Sequence, residues 1–484
     1  MTDTPQTSSP SGGSSMPASS EPDPRLPKLR EMTGFVEYMG TGWGTPDRAP
    51  AVEPGAAGAA ASHRARLSAA LPGHTIVVAS GRAPVRANDT YYEFRPDSDF
   101  FWLTGCDAED AVLVMTPTAG GHDATVYVRS PAYPGDPDFF ADSLRGELWV
   151  GAAPDASDWS AALDVSVAHL ERLNGIPMAD ALGAGTFTSP HIAARGLRRS
   201  EELCRVLAEL RMIKDDWEIA QLRAAVDATI DGFRSVIREI PTAIEAGGER
   251  WLQASFDRHA RTTGNGPGYT TIVGSAGHAP TLHWVRCDGP VVPEELLLLD
   301  MGVEVRSYYT ADITRTFPAS GTFSAAQRQV HELVEKAHRA GLAAVQPGRA
   351  FSDFHAAAMA VIAQGLFDWD LLPVSVDEAL SPTGQHHRRY LVCGIGHHLG
   401  IDVHDCARSS YSAYQAAQLA PGMVLTVEPG LYFHSFDETV PPELRGIGVR
   451  IEDDLLVTQQ GSTVLSDALP LDALGLEKWM QSQR

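Results

Sequence analysis

The stretch Pro421-Gly422-Met423-Val424-Leu425-Thr426-Val427-Glu428-Pro429-Gly430 brings an apolar run onto a single carboxylate. The neighbours of Glu428 are those of a buried strand, so its side chain is expected to point into protein. The same device recurs on either side. Asp300 closes Leu296-Leu297-Leu298-Leu299-Asp300, and Asp312 opens Asp312-Ile313-Thr314-Arg315-Thr316-Phe317-Pro318. Glu452 stands in Arg445-Gly446-Ile447-Gly448-Val449-Arg450-Ile451-Glu452-Asp453, and His397 in Cys393-Gly394-Ile395-Gly396-His397-His398-Leu399-Gly400. An isolated carboxylate is costly to bury unless it is paired or bound to a metal. Taken alone, each acid is better read as a strand end at the surface or as a partner of arginine. Taken together, acids entering one interior beside an imidazole point to a cation site.

Composition narrows the partners. The chain has 484 residues, 43% of them apolar, which makes two or three domains the prior. Lys+Arg is 38 against 61 Asp+Glu, a formal charge of −23. That argues against nucleic acid and against an anionic membrane surface. It suits divalent cations or substrates with a free amine, and equally simple solubility. Cys106, Cys204, Cys287, Cys393 and Cys406 are odd in number, with no C-x-x-C pair. Neither a structural zinc site nor a disulfide framework is expected. No apolar run approaches the roughly 18 residues of a membrane span. No secretory signal pattern begins the chain, so a cytoplasmic location is expected.

Residues 1–30 hold seven Ser and six Pro and read as a disordered tail. An Ala/Gly/Pro-rich linker over 49–61 leads to a helix over 63–71. Strand-like or apolar runs follow at 74–80, 100–104, 111–116 and 124–129, as in a mixed α/β sheet domain. Residues 200–240 have helical periodicity, broken near Lys214-Asp215. After Pro241 short strands dominate, at 295–300, 303–317, 423–432 and 448–457, with a helix over 325–344. No repeat of 20–50 residues is visible. The expected division is a tail and linker over 1–50, an N-terminal domain over 51–205 and a second domain over 206–484.

The three words around Asp312, Glu428 and Glu452, with Ser98-Asp99-Phe100-Phe101-Trp102-Leu103-Thr104-Gly105, resemble the Xaa-Pro aminopeptidases (aminopeptidase P) and prolidases. The likeness runs from about Ser62 to Val457. It implies an α/β (α+β) chain: a creatinase-like mixed α/β domain, then a pita-bread catalytic domain of the kind shared with methionine aminopeptidases. It also implies two divalent metal ions. Asp300 would chelate one, Asp312 and Glu452 would bridge both, and His397 and Glu428 would ligate the second. Four carboxylates and one imidazole form a hard, oxygen-rich set that suits Mn²⁺ or Mg²⁺ better than structural zinc, and the family suggests Mn²⁺. The implied activity is release of the N-terminal residue from peptides with proline second, by a bridging hydroxide, with Glu428 moving the proton. His283 and His404 would bind the substrate.

Arg450 lies two residues before Glu452, on the same strand face. The resemblance places it in the catalytic set with Glu428, His283 and His404, where pairing with Asp312 or Glu452 is expected ahead of substrate contact. Tyr432, four after Glu428, would share that residue's face, to touch substrate or merely to pack. His398 adjoins a ligand but should turn away from the site. No H-E-x-x-H or dinucleotide fingerprint occurs. The chain departs from its relatives at Cys393, where many have His. Its Asp300–Asp312 spacing of twelve is one longer than usual, with the extra residue within 307–310 as a bulge or longer turn. A prolidase restricted to dipeptides is the alternative activity. Methionine aminopeptidase is disfavoured by the large N-terminal domain. A metal-free binding relative is the non-enzymatic alternative, disfavoured by the complete ligand set. The resemblance further implies a homodimer or homotetramer.

Overall fold

The computed structural model describes residues 28–178, 180–193 and 195–483. Residues 1–27 of the expected tail lie outside them. The chain packs as two units. The first joins residues 28–50 to Ser130–Asp155. Phe35 meets Phe140 edge-on at 5.2 Å, and Trp43 meets Phe139 at 5.1 Å. Arg48 donates to both carboxylate oxygens of Glu147, at 2.6 and 2.7 Å. The segment expected as tail and linker thus contains a helix, Thr33–Met39, whose apolar residues are too few to show a period in a Ser/Pro-rich context. The span 51–205 is interrupted, because Ser130–Asp155 belongs to this first unit.

The second unit holds Ala51–Arg129 and Ala156–Arg484. Its N-terminal part is a mixed five-stranded sheet in the order Ser166–His169, Gly121–Val128, Val112–Thr118, Ile76–Ala79, Leu182–Gly185. The inner pairs are antiparallel and the two outer pairs parallel. The apolar run at 100–104 lies in a helix, Ser98–Thr104. Asp97 caps its start by accepting from the Asp99 N–H at 3.1 Å, and Gly105 ends it at a φ of 66°. The helix Glu201–Arg211 runs across the expected 205/206 division, with Leu203, Cys204 and Leu207 buried against this sheet.

A reciprocal capping box of Asp215 and Glu218 starts the helix Asp216–Glu245. Leu222, Val226, Ile230, Phe233, Ile237 and Ile240 form its buried stripe. Pro241 does not end it. The helix continues through the proline, and Gly248–Thr263 is helical too, before the first strands. They form a three-stranded antiparallel sheet of Ile272–Ser275, Leu296–Met301 and Ile313–Pro318. The next helix pair, Ala325–Ala344 and Ser352–Asp368, precedes a second antiparallel sheet of Val424–Val427, Asp453–Val457 and Ser462–Val464. A helix pair followed by antiparallel strands therefore occurs twice, a duplication the sequence does not betray.

Where long strands were expected, the chain breaks at the candidate ligands. Strand pairing stops at Val427 and resumes at Gly430–Tyr432, across Glu428 and Pro429, which has no N–H to offer. Gly448–Arg450 and Asp453–Val457 are separated by Ile451 and Glu452. The expected strand over 303–317 is two pieces, Val303–Glu304 and Ile313–Pro318. Between them a turn bonds Tyr308 N–H to Val305 C=O at 2.8 Å, with Tyr308 at a φ of 66°.

A buried cluster joins the two parts of this unit. His63 Nδ1 donates to the Trp102 carbonyl at 2.7 Å, and Nε2 lies 2.9 Å from Asp215 and 3.5 Å from Glu218. Glu218 also accepts from Trp102 Nε1 at 3.0 Å and from the Tyr309 hydroxyl at 2.7 Å. Burial disfavours the charged imidazole, but Asp215 and Glu218 outweigh it and raise its pKa from 6.5 to about 9. Folding is therefore favoured by the bound proton. This contribution is complete below pH 6.5 and fades as pH rises through 9. Between those values the denaturation midpoint of His63→Gln should fall less steeply than that of the native chain. Equal slopes in the two proteins would contradict the charged pair.

Candidate metal centre

The structure brings all nine sequence-derived site residues onto one cavity of about 630 Å³: Asp300, Asp312, His397, Glu428, Glu452, His283, His404, Tyr432 and Arg450. They arrive from separate elements. Asp300 lies near the end of Leu296–Met301, and Asp312 directly precedes Ile313–Pro318. Glu428 and Glu452 sit in the two strand breaks, and a bridge from Thr314 to Glu452 links the two sheets. Between Asp300 and Asp312 the chain turns at Tyr308, and both acids line the cavity.

His397 is oriented by its neighbour. Its Nδ1 lies 3.1 Å from the His398 carbonyl, which only accepts, so Nδ1 carries the hydrogen. Nε2 is left facing Asp312 at 3.3 Å and Glu428 at 3.6 Å. Among the described residues, Asp312, His397 and Glu452 offer ligand atoms within 4.8 Å of one another. The other such group, His63 with Asp215 and Glu218, is the cluster already bonded within the fold and does not line this cavity.

Arg450 corrects the sequence reading. The pairing with Glu452 is present at 3.9 Å, but the shortest ion pair is to Asp300, whose Oδ2 is bonded to Nη2. Nε donates to Thr314 Oγ1 at 3.0 Å and Nη1 to the Tyr432 oxygen at 3.0 Å. Tyr432 thus has a polar partner as well as a place on the cavity wall. Three contributors escaped the sequence reading. Tyr269 donates to Asp300 Oδ1 at 2.6 Å, Thr314 donates to Glu452 Oε2 at 2.7 Å, and Asp454 accepts the Asp312 N–H at 3.1 Å. Thr314 was within reach of a period-two reading, being two residues after Asp312. Nothing near Tyr269 marks it. His398 turns away as expected, stacked on Phe351 at 5.3 Å.

The carboxylates bear the strain of burial. Desolvation raises Asp300, raises Glu452 further with help from Asp312 and Glu428, and brings Glu428 to about 7. Burial works against the His397 cation, yet Asp312 and Glu428 raise it to about 9. His404 meets His397 edge-on at 4.4 Å and is lowered, by burial and then by the His397 charge. Such acids hold protons when nothing else neutralises them. A pair of divalent cations would supply the missing positive charge, and the donor set of carboxylate oxygens and one imidazole nitrogen fits hard divalent ions.

The sequence profile of metallopeptidase family M24 matches residues 220–459, and that of the aminopeptidase P N-terminal domain matches 60–179. Xaa-Pro aminopeptidase 1 of Streptomyces coelicolor is 43% identical over 464 residues, covering 92% of this chain and 91% of its own. Xaa-Pro aminopeptidase 2 of the same organism is 44% identical over 460 residues, covering 91% and 95%. Among solved structures, aminopeptidase P of Escherichia coli with the inhibitor Pro-Leu superposes with a TM-score of 0.77 at 26% identity. It covers 88% of this chain and 99% of that one.

Metal binding must displace the protons held by the cluster. Addition of Mn²⁺ to chelator-treated protein in weakly buffered solution at pH 7 should release protons. His397, raised to about 9 by Asp312 and Glu428 against its burial, and Glu428, raised by burial to about 7, are sources of those protons. A pH-stat titration without proton release would contradict the cluster as described.

Proposed function

The chain belongs to metallopeptidase family M24, in its Xaa-Pro aminopeptidase (aminopeptidase P) branch, and from that premise we propose how its residues release an N-terminal residue that precedes proline. The observation that carries this reading is the convergence of five potential ligands and four further polar groups on one cavity. The chain is a hydrolase, a metallo-exopeptidase with a divalent metal site. Asp300, Asp312, His397, Glu428 and Glu452 are the residues that would hold two ions. When bound, the ions would polarise the scissile carbonyl and lower the pKa of water towards neutrality.

The protein's own groups do the rest. Glu428 stands on the cavity beside His397 and Asp312, and we assign it the acid and base role toward the departing nitrogen, which in an Xaa-Pro bond carries no hydrogen of its own. His404 is kept neutral by burial and by the neighbouring His397, so it donates an N–H to the peptide without adding a charge beside the substrate's ammonium. His283 stands on the exposed part of the same wall and steadies the chain on that side. Arg450 ties Asp300, Thr314 and Tyr432 into one set and acts as a positioning residue.

Mn²⁺ is the ion we propose, on the hardness of the donor set. The substrates are peptides with an Xaa-Pro N-terminus, and neither nucleic acid nor membrane is a partner. The net charge of −23 supports this, and no helix among the described residues is long and apolar enough to cross a membrane. The five cysteines are unpaired, which supports a reducing, cytoplasmic setting. A homodimer or homotetramer is proposed on family grounds.

Chelator-treated enzyme should regain activity with Mn²⁺ and cut an Xaa-Pro-Xaa tripeptide at its first bond, leaving a Met-Ala tripeptide intact. Cleavage of an Xaa-Pro dipeptide alone would make it a prolidase, and cleavage of none would defeat the reading. In Glu428→Gln, kcat should fall by about 10²–10⁴ with KM changed far less.

A further inference from the structure

The strongest polar network outside the cavity surrounds the loop 400–406, which carries His404. Asp402 and Asp405 flank that histidine, and both are held from the N-terminal side of the unit. Arg211 Nη2 bonds Asp402 Oδ2 at 2.7 Å and also Asp405 Oδ1, while its Nη1 donates to Asp99 at 2.7 Å. Lys214 donates to the other Asp405 oxygen at 3.0 Å. Ser98 donates its hydroxyl to Asp402 Oδ1 at 2.6 Å. Arg95 donates to the Ile401 carbonyl at 2.6 Å and to Glu304 at 2.7 Å.

Two features tie this network to the reaction rather than to stability alone. First, among the described residues no hydrogen bond fixes the His404 ring, so its position follows from the backbone of the loop. That backbone is drawn tight. Asp405 and Arg211 are buried, Cys406 sits at a φ of 61°, and a Cβ on Gly400 would come 2.1 Å from the Asp405 carboxylate. Second, Glu304 lies between Asp300 and Asp312. Arg95 thus fastens the His404 loop and the acid-bearing strands to one point, the chain just before the helix Ser98–Thr104.

We propose that Arg95, Ser98, Asp99 and Arg211 are positioning residues that set His404 against the substrate, so that the N-terminal domain takes part in catalysis through this loop. The inference rests on the substrate-binding role proposed for His404. Hydrogen bonds to charged groups held in this way contribute most when the geometry is rigid. Loss of one should let the loop, and the ring with it, sample positions that miss the peptide.

Ser98→Ala and Arg95→Gln remove single arms of the clamp and leave the buried Arg211–Asp405 pair in place. With an Xaa-Pro-Xaa tripeptide, each should lower kcat/KM by about three- to thirtyfold, with manganese content and melting temperature close to native. In a His404→Ala background the same substitutions should have almost no further effect, because all act through one group. Hydrogen exchange of the amides in 400–406 should quicken in both single variants. Undiminished losses in the His404→Ala background, or unchanged kinetics with unchanged exchange, would overturn the proposal. If the native enzyme cleaves no proline peptide, the functional reading fails instead. The clamp is then judged on hydrogen exchange alone, where unchanged rates in both variants still reject it.

Discussion

Four carboxylates share one cavity with a single arginine, and the rest of the catalytic domain is arranged around that imbalance. Asp300 has Arg450 and Tyr269 to hold it. Among the described residues, Asp312, Glu428 and Glu452 have the edge of His397, two threonine hydroxyls and one another, with Arg450 3.9 Å from Glu452. Burial first, and the neighbouring carboxylates after it, raise Glu452, Glu428 and Asp300 towards their protonated forms. Such a cluster survives in a fold only where the surroundings over-determine it and a ligand repays it. The surroundings are two antiparallel sheets joined by the Thr314–Glu452 bridge. Arg315 braces the bridge from behind: it is fully buried, donates to the Glu452 carbonyl at 2.6 Å and pairs with Asp453 at 2.6 Å.

Three of the four acids stand where strand pairing stops or starts, whereas Asp300 reaches the cavity from within a strand paired on both sides. The breaks at Glu428-Pro429 and at Ile451-Glu452, and the start of pairing only after Asp312, turn those side chains into open space. The chain recovers its backbone bonds at once: Glu428 N–H donates to Ile395 C=O at 3.0 Å and Glu452 N–H to Thr314 C=O at 3.0 Å. Rigidity on both sides of each break gives the cluster its fixed form.

The acids were legible because each ends or opens an apolar run, and no sum of propensities was needed to find them. The helix over 325–344 was equally plain from its apolar stripe, and the structure adds a Ser324–Gln327 capping box at its start. What stayed hidden depended on tertiary partners. The true partner of Arg450 is decided by the distance between two strands, not by the spacing of two residues in one. Tyr269 carries no local mark. Pro241 looks like a boundary, yet helix packing carries the chain past it. The helix Thr33–Met39 and the segment Ser130–Asp155 come together across about ninety residues, and nothing local announces that pairing. The word around Ser98 was noticed for its likeness, whereas its polar residues are seen in the structure to grip the loop of His404.

The central claim is that these buried carboxylates form a site for two divalent ions. Calorimetric titration of chelator-treated protein with Mn²⁺, checked by elemental analysis of the gel-filtered product, tests it most directly. The native chain should take up two ions per chain, and Asp312→Asn should retain fewer and bind them more weakly. Failure of the native chain to bind Mn²⁺, or full binding of two ions by Asp312→Asn, would contradict the account.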